Sequence, residues 1–443
     1  MRILSIVFLI LLSGCAVKNR DLIVLDINQT EQVKIDEKWW LGYNEPVLNE
    51  LIDKALRENI DIAKAILNIR KALARVGVSE AAQQPTLGAS FGANTSRNLS
   101  INDSFASRYS NNFTLNYELD IWGKLANETE ALKFEASANK WDKKALELSV
   151  INGVIDSYFH ILYLNESLKL YTQNLKNYND LLEISNIKVK NGKDEAISPK
   201  QIKSQILNIQ NRIINANISL DNAKQTLRNL LNLRPDYEFE FKDGLDVELI
   251  GVNLDVPIYA ISNRPDLNAA IDRINSALLD VKVSKKSFYP SISLGASLSD
   301  SDDKFNKSFG FNILGGNVSI NLPFLNYKRL KQNLIISEVV FESMKLEYEK
   351  TLTSALNEIN TAYKQLKNDK ILYKNYKTQI NNYEDISEIY KLKQEYGKIE
   401  MRDYLSAKNN EIEAKITLIN QKYKILSDEN MIYKAMAGKI IFN

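Results

Sequence analysis

The chain repeats itself. Shifted by 205 residues, Asp61-Ile62 falls on Asp266-Leu267, Ala65-Ile66 on Ala270-Ile271, and Ile69, Leu73, Val76, Val78 and Pro85 on Ile274, Leu278, Val281, Val283 and Pro290. The same shift holds at Leu125/Leu330, Tyr158/Tyr363, Tyr171/Tyr376, Tyr178/Tyr383 and Gly192/Gly397. One offset kept over so long a span means duplication of a whole structural unit, far outside the ~20–50-residue periods of solenoids. The pattern places repeat 1 at 50–232 and repeat 2 at 255–438, with a connector at 233–254 and a tail at 439–443.

Each copy has the same contents. A helical pattern from Glu45 to Gln83 stops before Pro85, and its counterpart from about Asp266 to Phe288 stops before Pro290, because proline pushes the preceding residue toward extended geometry. Alternation follows. Leu87, Ala89, Phe91 and Ala93 interleave with small polar residues, as do Phe113, Leu115, Tyr117 and Leu119. Repeat 2 does the same at Ile292, Leu294, Ala296 and Leu298, and at Val318, Ile320 and Leu322. Period two with one apolar face describes a half-buried strand. The polar faces are small and uncharged apart from Glu118, as the lumen of a membrane barrel tolerates, although a soluble sheet resting on a helix fits the same pattern. Segments 94–111 and 299–308 read as Ser/Asn/Asp-rich loops suited to water. Four strands cannot close a barrel, whose smallest membrane forms have about eight, and open edges are not tolerated in lipid. If the strands span a membrane, several chains must pool them.

The remainder is long helix. From Lys124 to Lys190 there is no proline, and an unbroken helix there would reach ~100 Å. Ile161, Leu168, Leu175, Leu182 and Val189 recur every seven residues. Ile202, Ile206, Ile209, Ile213, Ala216, Leu220, Ala223, Leu227 and Leu230 return in alternating steps of four and three, the spacing of a coiled-coil seam. Repeat 2 offers Ile359, Leu366, Tyr373 and Ile380 outward and Ile412, Ile416, Ile419, Tyr423 and Leu426 back. Gly192 and Gly397 stand where each hairpin should reverse, since glycine is the usual residue just past a helix end. The expected fold class is mainly α with a β-barrel part, if the strands meet lipid: two tandem repeats, two long helical hairpins and four strands per chain.

The first residues are a targeting signal in form. Arg2 precedes an apolar run from Ile3 to Leu12, too short for the ~20 residues that span a bilayer, and small residues follow. Residues 1–14 read as a signal peptide and 15–49 as an N-terminal anchored segment. Leu12-Ser13-Gly14-Cys15 resembles a bacterial lipobox, which would make Cys15 the lipid-modified first residue of the mature chain, and Ala16 fits sorting to the outer membrane. Cys15 is the single cysteine, so a disulfide within the chain and a thiolate metal cluster are both excluded. Lys+Arg 57 against Asp+Glu 55 leaves no net basic character for nucleic acid. His160 stands alone within a helical run, and no Gly-rich phosphate loop, Ser/His/Asp set or His-Glu-x-x-His pattern occurs, so neither enzyme chemistry nor a cofactor is expected.

Taken in order, these features resemble the TolC-like outer-membrane efflux family, in its lipoprotein (NodT-type) branch. Trp39-Trp40, Tyr43-Asn44-Glu45-Pro46, Leu48-Asn49, Leu51-Ile52, Ala55-Leu56, Asn59 and Asp61-Ile62 look like that branch's opening signature. The run Leu119 to Leu125 looks like the strand-to-helix junction of repeat 1, and Leu322-Pro323-Phe324-Leu325 through Lys328-Arg329-Leu330 like that of repeat 2. The resemblance implies a homotrimer sharing one barrel in the outer membrane, with a helical tunnel projecting through the periplasm toward an adaptor and an inner-membrane pump. It also implies a constriction near the hairpin ends lined by aspartates one turn apart. Asp403 takes the first of these positions and Ser406 replaces the second, with Asp194, Glu195 and Glu400 as further acids near the tips. Two other readings stay open: the channel of a type I protein-secretion system, and a periplasmic coiled-coil scaffold with no pore.

Overall fold

A computed structural model describes residues 34–100, 104–252 and 263–441. The expected signal peptide and Cys15 lie outside these. In chain order the elements are β1 (Lys34–Asp36), α1 (Pro46–Glu58), α2 (Ile60–Ala82), β2 (Thr86–Ser96), β3 (Ala106–Leu119), α3 (Lys124–Lys190) and α4 (Ser198–Leu230). Repeat 2 follows with α5 (Pro265–Lys286), β4 (Ser291–Asp302), β5 (Ile313–Asn321), α6 (Tyr327–Glu395) and α7 (Met401–Ala435), and β6 (Lys439–Ile441) closes the chain. The 67 residues of α3 and 69 of α6 run unbroken, as the absence of proline requires. No helix among the described residues is long and apolar enough to cross a membrane.

The chain divides into two compact units. One, drawn from Asn68–Lys140 and Ala269–Glu349, holds a four-stranded antiparallel sheet of order β2-β3-β4-β5. The central β3–β4 pairing joins the two repeats, setting Phe113 opposite Leu298 and Leu115 opposite Ala296. Beside the sheet, Val281 and Phe288 of α5 pack with Leu330, Leu334 and Phe341 of α6.

The other unit centres on one core. Trp39, Trp40 and Tyr43, in a 3-10 turn, join Leu48 and Ile52 of α1, Ile155, Tyr158 and Phe159 of α3, Leu227 of α4 and Tyr433 of α7. Two carboxyl groups, Glu429 buried and Glu166 half-buried, fasten the connector here: Glu429 accepts from the Ile250 and Gly251 amides at 3.0 and 2.7 Å, and Glu166 from the Leu245 amide at 2.7 Å. Antiparallel β1 and β6 tie the first and last of the described residues together, with Lys34 opposite Ile441.

The structure departs from the sequence reading in three places. The expected helix over 45–83 is two helices, broken at Asn59, whose backbone is extended at φ −65°, ψ 125°. Its Oδ1 accepts from the Asp61 and Ile62 amides at 2.9 and 3.1 Å, satisfying donors that open α2, while its Nδ2 donates to the Leu230 carbonyl at 2.9 Å. Strands also run into both expected loops: β3 begins at Ala106 and β4 reaches Asp302, because the backbone ladder pairs Ser96 with Ala106 and Tyr109 with Asp302 whatever the side-chain polarity. Finally, the α3 seam shifts by a residue. Ser167, Asn174 and Leu181 are buried, whereas Leu168, Leu175 and Leu182 are only partly so. The reason is that α3 packs against both hairpins: Asn174 Nδ2 donates to Glu413 of α7 at 2.9 Å and Asn177 Nδ2 to Asn409 at 3.0 Å.

Candidate functional site: membrane sheet and hairpin tips

Register turns four weak alternations into one amphipathic surface. Leu87 pairs with Leu115 and Ala89 with Phe113; on the next strands Tyr117 pairs with Leu294 and Leu115 with Ala296, and beyond them Leu294 with Val318 and Leu298 with Leu314. Residues paired across an antiparallel ladder share a face, so all of these lie on one side. The other side carries Thr86, Ser90, Thr114, Asn116, Ser293, Ser297, Asn317 and Ser319. The apolar side is uncovered: Leu87 is 83% exposed, Leu314 81% and Val318 68%. At ~3.3 Å per residue and a tilt of ~40°, the eleven residues of β2 rise ~28 Å, enough for the ~25 Å apolar band of an outer-membrane barrel.

Aromatic side chains bracket this face. At the α3 end Trp122 stacks on Tyr289 at 5.0 Å and donates Nε1–H to the Pro290 carbonyl at 2.7 Å. Asp120 accepts from the Leu125 and Ala126 amides at 3.0 and 2.8 Å, which turns strand into helix. At the other end the β4–β5 loop folds back on the sheet, setting Phe305 edge-on to Phe91 and Tyr109 at 5.7 Å and Phe311 on Phe113 at 5.2 Å. Asn111 Nδ2 pins the loop through the Ser308 carbonyl at 2.8 Å. Its polar composition suggests a purely solvated loop; the signal to the contrary is the spacing of Phe305, Phe309 and Phe311.

The hairpin reversals match each other. Gly192 and Gly397 have φ of 69° and 68°, in the left-handed region where a side chain is strained. The amide of Lys193 donates to the Lys188 carbonyl and that of Lys398 to the Lys393 carbonyl, both at 2.8 Å, so each long helix ends in a Schellman motif.

The tip acids are engaged in different ways. Asp194 accepts from Ser198 Oγ and the Glu195 amide, both at 2.8 Å, and these bonds hold its carboxyl below the usual range. Glu400 accepts from Lys188 Nζ, a contact that links the end of α3 to the start of α7, and this bond lowers its pKa too. Glu400 also forms a capping box with Asp403, satisfying amides at the start of α7. Arg402 lies 3.9 Å from Asp403 and 4.0 Å from Glu400. Asp403 is half-buried, while Glu195 and Ser406 are exposed. The tips thus gather Lys188, Asp194, Glu400, Arg402 and Asp403. Lys188 has no signal in the sequence because its partner lies on the other hairpin, whereas Arg402 adjoins its partners along the chain and the Glu400–Asp403 spacing is itself a capping pattern.

Elsewhere Arg212 of α4 grips Glu413 through two contacts of 2.7 Å, joining the hairpins along their length. His160 lies stacked against Tyr423 at 4.9 Å, and burial lowers its pKa against the opposing pull of Asp156.

The family model described as "Outer membrane efflux protein" matches the chain twice, over residues 51–233 and 256–438. The chain belongs to this family. It is therefore an efflux channel of the outer membrane, of the type that serves tripartite systems, and not an enzyme. Members act as trimers together with inner-membrane pumps and adaptors. The efflux protein is 34% identical over 412 residues to "Toxin and drug export protein A" of Aggregatibacter actinomycetemcomitans, covering 92% of this chain and 90% of the relative. It is 25% identical over 329 residues to the "Probable outer membrane lipoprotein SilC" of Salmonella typhimurium, covering 73% and 71%. Its fold matches the Campylobacter jejuni CmeC outer membrane channel with a TM-score of 0.81 at 22% identity, over 94% of this chain and 91% of that one. The open state of the Neisseria gonorrhoeae MtrE channel matches with a TM-score of 0.79 at 22% identity, over 95% and 96%.

Proposed function

We propose that three copies of this chain close one barrel and one tunnel, through which substrates delivered by an inner-membrane pump and its periplasmic adaptor pass without chemical change. The sheet carries this reading. It has one continuous apolar face, one polar face of small residues, and a free edge at β2 and at β5 among the described residues. Lipid tolerates the apolar face but not the edges, since each unpaired backbone group in hydrocarbon costs several kcal/mol. Joining β5 of one copy to β2 of the next removes every edge and turns the polar faces inward as a wet lumen.

At the tips, Asp403 and Ser406 line the constriction, with Glu195 free in solvent beside it. Opening has to part α3 from α7, and so has to break the Lys188–Glu400 contact. Adaptor binding favours the open state only through contacts that state alone provides. In planar bilayers the purified trimer gives discrete conductance steps that prefer cations. Asp403→Asn lowers that preference several-fold and Ser406→Asp raises it. A polypeptide that stays monomeric and water-soluble without detergent would sink the reading, and conductance indifferent to both substitutions would remove these residues from the lumen.

The leader supports a lipid anchor at Cys15, and with it membership of the lipoprotein branch, in keeping with the name of the SilC relative. Palmitate labelling of the wild type should vanish completely in Cys15→Ala. The repeats at 50–232 and 255–438, the connector between them and the anchored segment 15–49 complete this organisation. A second reading, the channel of a type I protein-secretion system, is raised by the word toxin in the name of the relative that is 34% identical, which also names drugs. Complementing a deletion strain and scoring drug tolerance against release of a secreted protein separates the two.

A further inference from the structure

Helices α6 and α7 each bury a carboxyl group, and the one on α6 lies within hydrogen-bonding influence of the one on α7. Asp369 of α6 is 8% exposed and Asp428 of α7 is 9% exposed. Gln421 Nε2 of α7, about two turns before Asp428, donates to the Asp369 backbone carbonyl at 3.2 Å, which ties α7 to α6 beside the pair. Oδ2 of Asp428 is buried with no donor on it among the described residues. A buried carboxylate with neither donor nor counter-charge is strongly disfavoured, and two in contact more so.

The duplication supplies an internal control. The 205-residue shift sets Leu164 of α3 at the place of Asp369 and Ala223 of α4 at the place of Asp428, and both are buried, at 4% and 6% exposure. Repeat 1 therefore fills the same two places with an apolar pair, so the hairpin architecture does not itself demand acids there.

The charged neighbours do not neutralise the pair. Lys424, on the exposed side of α7, draws the Asp428 carboxyl down but is the weakest of the influences upon it. Lys370 of α6 acts on Glu429, the next residue along α7. Asp156 of α3 is supplied by the hydroxyls of Tyr423 at 3.3 Å and Ser427 at 2.6 Å. What remains is a proton. Carried by one carboxyl and donated to the other, it removes one charge and turns repulsion into a hydrogen bond.

We propose that Asp369 and Asp428 form a proton-binding site that clasps α6 to α7, closed while one proton is shared and loosened when that proton is lost. Burial, and then the neighbouring Asp369, push the Asp428 carboxyl up to about 7, which sets the clasp near neutrality. An unfolded aspartate loses its proton near ~3.9, so between that value and about 7 the folded chain holds a proton that the unfolded chain has released. Stability therefore falls as pH rises through this window and levels off above it, opposite to the behaviour of a salt-bridged carboxylate.

The site stands whether or not the assembled chain conducts, and its test uses the full-length protein in detergent. Infrared difference spectra between about pH 6 and about pH 8.5 should show the carbonyl band of a protonated carboxylic acid disappearing. The double variant Asp369→Leu/Asp428→Ala copies repeat 1 and should lack both that band and the loss of melting temperature over the same interval. Asp428→Asn, which keeps the shape and a donor but does not titrate, should behave likewise and covers the case in which the double variant fails to fold. Absence of the band at the lower pH, its persistence in the variants, or an unchanged dependence of melting on pH would each overturn the site.

Discussion

Ala296→Arg should empty the membrane of assembled channel, whereas Ser297→Arg, one residue further along β4, should leave it in place with altered ion selectivity. The two positions sit at mid-strand on opposite faces of the same sheet: Ala296 pairs with Leu115 and Gly316, Ser297 with Thr114 and Gly315. An arginine facing lipid at the bilayer midplane costs ~2–4 kcal/mol, while lumen substitutions tune selectivity. In a trimer the same lesion occurs three times, so the penalty per assembly is ~6–12 kcal/mol. That rivals the ~5–15 kcal/mol by which a folded domain exceeds its unfolded state. The measurement is the fraction of trimer that resists dissociation on unheated gels from purified outer membranes, followed by reversal potentials for the variant that assembles. Equal assembly of both variants would mean that the apolar face does not meet hydrocarbon.

The contrast between those neighbouring positions is legible in the sequence alone, because period two sorts side chains by face without reference to partners. Features set by local chemistry are legible in the same way: the long helices without proline, the glycines that end them, and the doubled order of elements that makes the fold mainly helical with four membrane strands. What the sequence hides depends on partners distant along the chain. Asn59 looks like one more polar residue in a helical stretch until the Leu230 carbonyl gives its side chain a second role. Asn174 lies at a helical position that an apolar search discards, and it is buried because Glu413 meets it from the other repeat. The short β1–β6 pairing joins segments about 400 residues apart, each too short to carry a period. At the tips the acids can be named from sequence, but their division of labour cannot. Which of them caps a helix, which bridges hairpins and which faces solvent depends on Lys188, Ser198 and Arg402.

Trp39→Ala should lower stability by ~3–5 kcal/mol, the range for deleting a buried large aromatic side chain. Trp39 is 1% exposed, stands edge-on to Trp40 at 5.2 Å and lies 6.2 Å from Tyr433 of α7, in the core shared by α1, α3 and α4. Its indole Nε1 has no acceptor among the described residues. Trp39→Phe therefore discards an unsatisfied donor along with part of the ring, and should be far milder than the alanine variant, since a buried polar group without a partner carries a desolvation penalty of ~1–3 kcal/mol. The loss in Trp39→Ala should be felt along the chain as well as in the core. The turn Trp39–Tyr43 follows β1 directly, and β1 is held to β6 by only three residue pairs. Amide exchange at Lys34–Asp36 and Lys439–Ile441 should accelerate together in the alanine variant and stay slow in the phenylalanine one, with the melting midpoint shifting in the same order. If the strands exchange at the wild-type rate while the midpoint falls, the pairing of the chain ends is secured by something other than this tryptophan, and the opening Trp-Trp pair serves the helical core alone.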